Sequence, residues 1–255
     1  MSNTSRVDTS MFESGHYLGK PADAEDLITQ RRIRILQGLS GFVGKDLTLL
    51  EIGCGNGATM LKLADSFLKV TGLEYNEAHR NEYDKIKTEL GVQNSEFKQW
   101  DMMAGSYTSP SDRIISFEVI EHLPSEDGLA NYFGSLKPGG LAAFSVPNKW
   151  WIFETHGARL PLLPWNRVPF FSWLPTPLHE KWANARIYTR SRIVKLLQKH
   201  GFEVLETSYI TAPMDVVKWK PLQTFLRRFV FQSDTTRNPF KAVSIFIVAK
   251  KPIHE

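Results

Sequence analysis

The sequence predicts an α/β fold in which a doubly wound, mostly parallel sheet carries helices on both faces. Seven short strand-like segments alternate with segments of helical periodicity, which is the pattern of βαβ units. The first strand-like segment runs into a glycine-rich loop, and a helical segment follows at once. A length of 255 residues, with 42% hydrophobic and 23% charged residues, fits one domain with a sizeable core.

The individual elements follow from local signals along the chain. Residues 1–20 are polar, so we expect a flexible tail there, followed by a single domain over residues 21–255. The first helix begins at Pro21 and ends at Gly41. Helical periodicity predicts further helices at Ala58–Phe67, Asn76–Leu90, Glu126–Leu136 and Ser191–His200. The predicted strands are Leu47–Ile52, Val70–Tyr75, Ser95–Trp100, Arg113–Val119, Leu141–Val146, Phe202–Ile210 and Ala242–Ala249.

An insertion of about residues 150–187 interrupts the alternation after the fifth strand. Its first part, Trp150–Trp182, contains five of the seven tryptophans and five prolines, so we expect no regular helix or central strand there. Clustered aromatic side chains suit a binding pocket or a lid. The alternative is a small satellite core beneath a long loop.

A second insertion, residues 211–241, separates the last two strands. Four apolar residues recur in it at helical spacing, with basic residues alongside: Leu222, Phe225, Leu226 and Phe229. A basic amphipathic helix can lie on an anionic membrane, but a helix packed on the protein with one solvated face has the same periodicity. We therefore predict peripheral membrane contact through residues 218–231, and the alternative is that this helix only packs on the protein.

The charges and the cysteine content exclude several classes of protein. There are 31 Lys+Arg and 27 Asp+Glu, a net charge of +4, and residues 215–241 alone carry six basic and two acidic residues. Because the basic excess is confined to this short stretch, we expect no nucleic-acid partner. The single cysteine, Cys54, excludes an internal disulfide. We find no signal-peptide pattern and no apolar run of about 20 residues, and we expect a cytoplasmic protein.

The glycine-rich loop Gly53-Cys54-Gly55-Asn56-Gly57 is the strongest functional signal. Glycines allow the backbone to turn tightly and to approach a ligand closely, and the helix that follows offers free N–H groups. The G-x-G-x-G spacing differs from the dinucleotide G-x-G-x-x-G, which disfavours a nicotinamide-dependent oxidoreductase. The plain alternative is a tight turn between strand and helix.

Acidic residues stand at the ends of the next two predicted strands. Glu74 follows the loop by about 20 residues, the position at which a carboxylate can accept both hydroxyls of a ribose. Asp101 ends the third strand and could bind an adenine amino group. Ligands of open α/β sheets lie at the carboxyl ends of the strands, so these groups are expected to share one site. For Glu74 the alternative is an acidic loop residue that is only solvated.

Six motifs, in this order, resemble those of the class I S-adenosylmethionine-dependent methyltransferases: LLEIGCGNG, GLEYN, QWDMM, RIISFEVIEHLP, LKPGG and FSVPN. The resemblance implies a Rossmann-like sheet of seven strands with an antiparallel last strand, and S-adenosylmethionine as the cofactor. It implies that the methionine part lies along the first motif and that the next three motifs hold the ribose, the adenine and the sulfonium. The implied residues, in that order, are Glu51, Gly53, Gly55 and Gly57, then Glu74 and Tyr75, then Asp101 and Met102, and finally Phe117 and Glu118.

The segment Glu118-x-x-Glu121-His122 resembles the E-x-x-E-H site of ubiquinone-biosynthesis O-methyltransferases and of plant-type small-RNA 2′-O-methyltransferases. In those families two glutamates and a histidine hold a divalent cation, so the resemblance implies Glu118, Glu121 and His122 as ligands of Mg²⁺ or Zn²⁺. The fourth ligand of the family, a histidine shortly before the helix at Tyr188-Thr189, is missing. Asn184 or Ala185 stands there, and His179 and His156 lie upstream. The alternative is a site without metal, in which His122, with Glu121, is a general base or His122 only caps a helix.

The resemblance implies methyl transfer to a small acceptor, and the aromatic insertion favours a lipophilic or aromatic one, with oxygen as the methylated atom. Carbon or nitrogen methylation of another small metabolite remains an alternative, because the motifs concern the cofactor. A non-catalytic S-adenosylmethionine-binding protein on the same fold is a further one. The sequence leaves the acceptor and the oligomeric state open.

Overall fold

An eight-stranded mixed sheet forms the centre of the structure, a computed structural model that describes residues 24–159 and 168–253. The predicted tail over residues 1–20 lies outside the described residues. The strands are β1 (Gly44–Ile52), β2 (Phe67–Glu74), β3 (Ser95–Gln99), β4 (Ser111–Phe117), β5 (Leu136–Pro147), β6 (Glu203–Thr211), β7 (Thr235–Thr236) and β8 (Ala242–Lys250).

The strand order is β3-β2-β1-β4-β5-β8-β6-β7. The first five strands of this order are parallel, and β8 lies antiparallel between β5 and β6. The seven predicted strands are all present, and the antiparallel last strand is confirmed. The predicted count is one strand short, because Thr235 and Thr236 of the second insertion pair with Ile210 and Tyr209 at the edge of the sheet.

Helices cover both faces of the sheet. The described α-helices are α1 (Leu27–Gly38), α2 (Ala58–Leu63), α3 (Arg80–Leu90), α4 (Leu129–Gly134), α5 (Thr176–Trp182), α6 (Arg190–Lys199) and α7 (Lys220–Phe229). Neighbouring residues of a strand point to opposite faces, so Leu49 packs with Leu36 of α1 and Met60 of α2, whereas Leu50 belongs to the cluster of α4 and α6. The predicted doubly wound α/β fold is therefore confirmed.

The predicted element bounds differ from the structure where tertiary packing overrides local signals. The helix predicted over Ala58–Phe67 ends at Leu63, a 3₁₀ turn follows, and Phe67 already belongs to β2. The expectation that the proline-rich insertion holds no regular helix is wrong, because it contains α5. Pro175 and Pro177 lie at the start of this helix, where a missing N–H costs nothing.

The two insertions pack against each other at the carboxyl-terminal edge of β5 and β6. Trp151 of the first insertion and Met214 of the second share a small apolar cluster, to which Leu226 of α7 adds its side chain. Asn148, just after β5, donates hydrogen bonds to the carbonyls of Pro239 and Ala242. Within the described part of the chain, no helix has the length and apolar character that crossing a membrane requires.

Candidate active site

A cavity of about 810 Å³ opens at the carboxyl ends of β1, β2 and β4. Nine of the ten residues for which the resemblance implies cofactor contact line it: Glu51, Gly53, Gly55, Glu74, Tyr75, Asp101, Met102, Phe117 and Glu118. The remaining one, Gly57, is not among the lining residues. The sequence therefore predicted most of one wall of the cavity from motifs that lie far apart along the chain.

The glycine-rich loop has backbone geometry that only glycine adopts easily. Gly53 has φ +73°, and a Cβ atom there would lie 2.3 Å from a methyl group of Val119. Gly57 has φ +74° and precedes α2, and a Cβ atom on it would lie 2.7 Å from the ring of Tyr83. Gly53 thus allows the chain to pass close to the loop that contains Val119, at the cavity. Gly57 instead allows α2 to pack closely against α3.

Two acidic side chains fix the ends of β1 and β2 to the loop. Glu74 is buried, and its carboxylate accepts hydrogen bonds from the backbone N–H groups of Gly55 (2.8 Å) and Asn76 (3.0 Å). Glu51 is buried as well, and one carboxylate oxygen accepts a hydrogen bond from the N–H of Met60 at 3.1 Å. Burial raises the pKa of Glu51 to about 8, because desolvation outweighs that hydrogen bond. In the protein without bound cofactor, the carboxyl group of Glu51 is therefore largely uncharged at neutral pH.

Glu118 lies beneath the cavity in a strained backbone conformation, with φ +57°. Its Oε1 accepts hydrogen bonds from Arg32 at 2.9 Å and from the hydroxyls of Ser145 and Ser244, each at 2.8 Å. Arg32 belongs to α1, and its guanidinium carbon lies 5.3 Å from the ring centroid of Phe117. The sequence analysis missed Arg32, which is 86 residues from Glu118 and belongs to no motif.

Glu121 and His122, the predicted catalytic pair, meet a histidine from the first insertion. Glu121 is fully buried and does not line the cavity, and neither of its carboxylate oxygens accepts a hydrogen bond from a described residue. Its Oε1 lies 3.5 Å from Nε2 of His156. The rings of His122 and His156 are 4.8 Å apart, edge to face, and both line the cavity.

The three residues Glu121, His122 and His156 could hold a metal ion, since one ligand atom of each lies within 4.8 Å of the other two. The predicted ligand Glu118 is outside this group, and its Oε1 accepts hydrogen bonds from Arg32 and two serines. His179, considered upstream of the missing family ligand, is buried against Glu154 instead. His156 is thus the histidine that the structure brings to the E-x-x-E-H segment.

Burial governs the protonation of this cluster. Desolvation raises the pKa of Glu121 well above its usual range, and the charge of Glu118 adds to the effect. Desolvation lowers the pKa of His122 well below its usual range, and His156 and Arg186 act in the same direction. Burial thus favours the uncharged form of both side chains in the free protein, and a neutral His122 can offer a nitrogen lone pair.

A hydrogen-bonded turn holds His156 in place. Oε2 of Glu154 lies 2.5 Å from Nε2 of His179, and both side chains are almost completely buried. The other carboxylate oxygen of Glu154 accepts a hydrogen bond from the N–H of His156 at 3.0 Å, and Asn184 donates to the carbonyl of His156 at 2.9 Å. Burial on its own would raise the pKa of Glu154, but the hydrogen bond to His179, the nearby charges of His179 and His156 and the N–H of His156 together outweigh it and lower that pKa.

The fold and the cavity together define a nucleotide-cofactor-binding α/β protein of the methyltransferase type. The glycine-rich loop follows β1, the acids end β2 and β3, and an antiparallel strand lies between β5 and β6. A family model described as a methyltransferase domain matches residues 23–207, more than half of the chain. The chain belongs to this family, the class I S-adenosylmethionine-dependent methyltransferases, and S-adenosylmethionine is its cofactor.

Individual relatives agree with this assignment. The chain is 27% identical over 216 residues to a "Ubiquinone biosynthesis O-methyltransferase" of Pseudomonas fluorescens, covering 78% of this chain and 92% of that protein. It is 28% identical over 165 residues to a "Probable S-adenosylmethionine-dependent methyltransferase" of Mycolicibacterium smegmatis; the match covers 64% of this chain and only 54% of that protein. The N-methyltransferase NodS of Bradyrhizobium japonicum, solved with S-adenosylhomocysteine, has the same fold, with TM-score 0.59, 14% identity and coverage of 96% and 100%.

Proposed function

We propose that the protein transfers the methyl group of S-adenosylmethionine to an oxygen of a small lipophilic or aromatic acceptor. The observation that carries the proposal is a single cavity lined on one side by Gly53, Glu74 and Asp101 and on another by His122 and His156. A donor site and a proton-accepting or cation-binding group therefore share one space. The apolar groups of the lining, among them Trp100, Phe117, Met103, Leu123 and Pro213, suit a lipophilic acceptor.

The cofactor contacts in this proposal follow the resemblance. The methionine part lies along Glu51, Gly53 and Gly55, with Gly57 shaping the loop from behind. The ribose hydroxyls bind Glu74 beside Tyr75, and the adenine lies against Asp101 and Met102. Phe117 and Glu118 lie beneath the sulfonium. Since Gly55 and Asn76 already fix the Glu74 carboxylate, it needs little ordering when a ribose arrives.

The transfer itself is an in-line displacement. The bond between the acceptor oxygen and the methyl carbon forms as the bond between sulfur and methyl breaks, which leaves S-adenosylhomocysteine, and the hydroxyl proton passes to a base. Holding the two reactants aligned can contribute about 7–11 kcal/mol. A positioned base contributes roughly 10²–10⁴-fold, but the lowered pKa of His122 makes this residue a weak base.

The cluster of Glu121, His122 and His156 favours a bound divalent cation over a lone base. A fully buried carboxylate without a hydrogen-bond donor among the described residues is unfavourable unless a cation or a proton compensates it. Two imidazoles and one carboxylate are a donor set typical of Zn²⁺ rather than Mg²⁺. When bound, such a cation lowers the pKa of an acceptor hydroxyl. In this arrangement His122 is a ligand, and Glu118 supports the site through its charge.

The test combines cofactor titration, metal analysis and turnover. Calorimetry should detect binding of S-adenosylmethionine and S-adenosylhomocysteine but not of NAD. In a turnover assay with S-adenosylmethionine, phenols with alkyl or isoprenoid chains should yield S-adenosylhomocysteine and an O-methyl product. A chelator should abolish turnover, and added Zn²⁺ should restore it. The variant His156→Asn should lose the metal, whereas the matched control His200→Asn, at the end of α6, should retain it.

The outcomes separate the alternatives. Full turnover in chelator would reject the cation and leave His122 as the base. Products methylated at nitrogen or carbon would reject oxygen as the methylated atom. Cofactor binding without turnover of any acceptor would favour a non-catalytic binding protein. A lipophilic acceptor partitions into membranes, so the proposal includes peripheral membrane contact through residues 218–231.

A further inference from the structure

The apolar face of α7 points away from the protein. Leu222, Phe225 and Phe229 lie on one side of this helix by their spacing of three and four residues, and Phe225 and Phe229 are 53% and 63% exposed. The opposite side carries Gln223, which is buried and donates hydrogen bonds to the carbonyls of Met214 (3.0 Å) and Val217 (3.1 Å). A helix packed on a globular core buries its apolar stripe. Of its four apolar side chains, α7 packs only Leu226 against the protein and leaves Leu222, Phe225 and Phe229 exposed.

Unpaired positive charge surrounds the exposed stripe. Lys218, Lys220 and Arg228 are exposed, and no acidic side chain of the described residues pairs with them. The two acidic residues of this insertion are engaged elsewhere, Asp215 with Arg227 at 2.6 Å and Asp234 with Arg34 at 2.6 Å. The surface of α7 therefore combines exposed aromatic rings with cations that have no counter-charge among the described residues.

We propose that this docking face, formed by Lys218, Trp219, Leu222, Phe225, Arg228 and Phe229, binds the surface of an anionic phospholipid bilayer. Trp219, at the start of α7, is 67% exposed. Aromatic and aliphatic side chains in the plane of an interface enter the boundary between headgroups and acyl chains, and flanking cations bind anionic headgroups. The uncompensated cations favour an anionic bilayer as the occupant over a second copy of this positively charged chain.

The docking face is attached directly to the wall of the cavity. Nε of Arg227, in the last turn of α7, donates a hydrogen bond to the carbonyl of Pro213 at 2.8 Å, and Pro213 lines the cavity. Leu226 packs with Trp151 at the start of the insertion that carries His156. Docking therefore brings the cavity close to the layer in which a lipophilic acceptor dissolves. This inference extends the proposed function and rests on it for the role of docking in acceptor access. Docking itself is measured by vesicle binding, without turnover.

Co-sedimentation with vesicles tests the docking face. We expect the full chain to bind vesicles of mixed phosphatidylcholine and phosphatidylglycerol, to bind pure phosphatidylcholine much more weakly, and to be released by high salt. The double variant Phe225→Ser/Phe229→Ser and the double variant Lys218→Glu/Arg228→Glu should each lose affinity by about tenfold or more. Leu68→Ser on β2 and Lys195→Glu on α6 are matched controls at exposed positions and should bind as the unmodified chain does.

A second readout reports the depth of the contact. Brominated phospholipids in the same vesicles should quench tryptophan fluorescence, and the variant Trp219→Phe should lose most of this quenching. Equal binding of all variants, or equal binding to neutral vesicles, would overturn the proposal. So would a dimer in sedimentation velocity that dissociates in Phe225→Ser/Phe229→Ser while vesicle binding is absent. Methyl transfer to a soluble acceptor would be unaffected by either result, so failure of docking and failure of the proposed function are distinguishable.

Discussion

In the proposed cofactor site, the buried carboxyl group of Glu51 lies where the methionine part would bind. Its pKa of about 8 in the free protein means that it holds a proton at neutral pH. The α-ammonium group of the cofactor, placed beside it, favours the ionised carboxylate and lowers this pKa. Binding should therefore release up to one proton, and the affinity should rise with pH by up to about tenfold per unit. This pH dependence is expected below about pH 8, the pKa of Glu51 in the free protein. Near the same pH the α-amino group of the cofactor loses its own charge.

Calorimetry in buffers of different ionisation enthalpy measures this proton release. The variant Glu51→Gln keeps the shape of the side chain but carries no proton to lose, so it should bind with no release and with a flat pH profile. Glu82→Gln, on α3 and outside the cavity lining, is the control and should retain the pH dependence. Proton release that persists in Glu51→Gln would place the titrating group elsewhere.

The turn that carries His156 depends on the buried pair of Glu154 and His179. We expect Glu154→Ala to release this turn, because it removes the acceptor of the His156 N–H and leaves His179 buried without its partner. Zn²⁺ affinity and turnover should both fall by roughly 10–100-fold, as for other residues that orient metal ligands. Glu154→Gln, which can still accept from the His156 N–H, should recover part of the loss.

Zn²⁺ titration and thermal unfolding distinguish a positioning role from a general loss of structure. Glu89→Ala, at an exposed position of α3, is the matched control. If Glu154→Ala binds Zn²⁺ normally, His156 does not need the turn. If its unfolding temperature falls and Glu154→Gln restores stability but not Zn²⁺ affinity, the pair only stabilises the insertion.

The structural elements differ in how well they could be predicted from the sequence. Strand periodicity predicted all seven long strands, and four of the six motifs supply residues of the cavity lining, because both signals are local. The position of His156 is set by the Glu154–His179 contact inside an irregular insertion, which has no periodicity. The orientation of α7 could not be predicted from the sequence either. Spacing shows that Leu222, Phe225 and Phe229 share a face, but only the packing of Gln223 shows which way that face points.

Across the whole molecule, Arg31 links the helix before the sheet to the second insertion. Its buried guanidinium donates hydrogen bonds to the carbonyls of Thr211 (2.5 Å), Ala212 (3.0 Å) and Phe231, and its Nε lies 3.7 Å from Asp234. The next residue of α1, Arg32, contacts Glu118 at the cavity. The anchoring of α1 by Arg31 should therefore support the proposed cofactor site, which Arg32 reaches from the adjacent face of the same helix.

We expect Arg31→Met to destabilise the protein by about 3 kcal/mol, because the change leaves buried carbonyls without donors and Asp234 with one cation fewer. For a domain of this size the unfolding temperature should fall by roughly 6–12 °C. S-adenosylhomocysteine at about 100 times its dissociation constant should return about 2.7 kcal/mol, but the variant should need more ligand to reach that point, since Arg32 is held less firmly. Scanning calorimetry with and without ligand measures both effects, and Arg190→Met, at an exposed position, is the control. If Arg31→Met binds S-adenosylhomocysteine with an unchanged dissociation constant, the stability of α1 does not affect cofactor binding. The residues that α1 contributes to the cavity wall would then contact the acceptor.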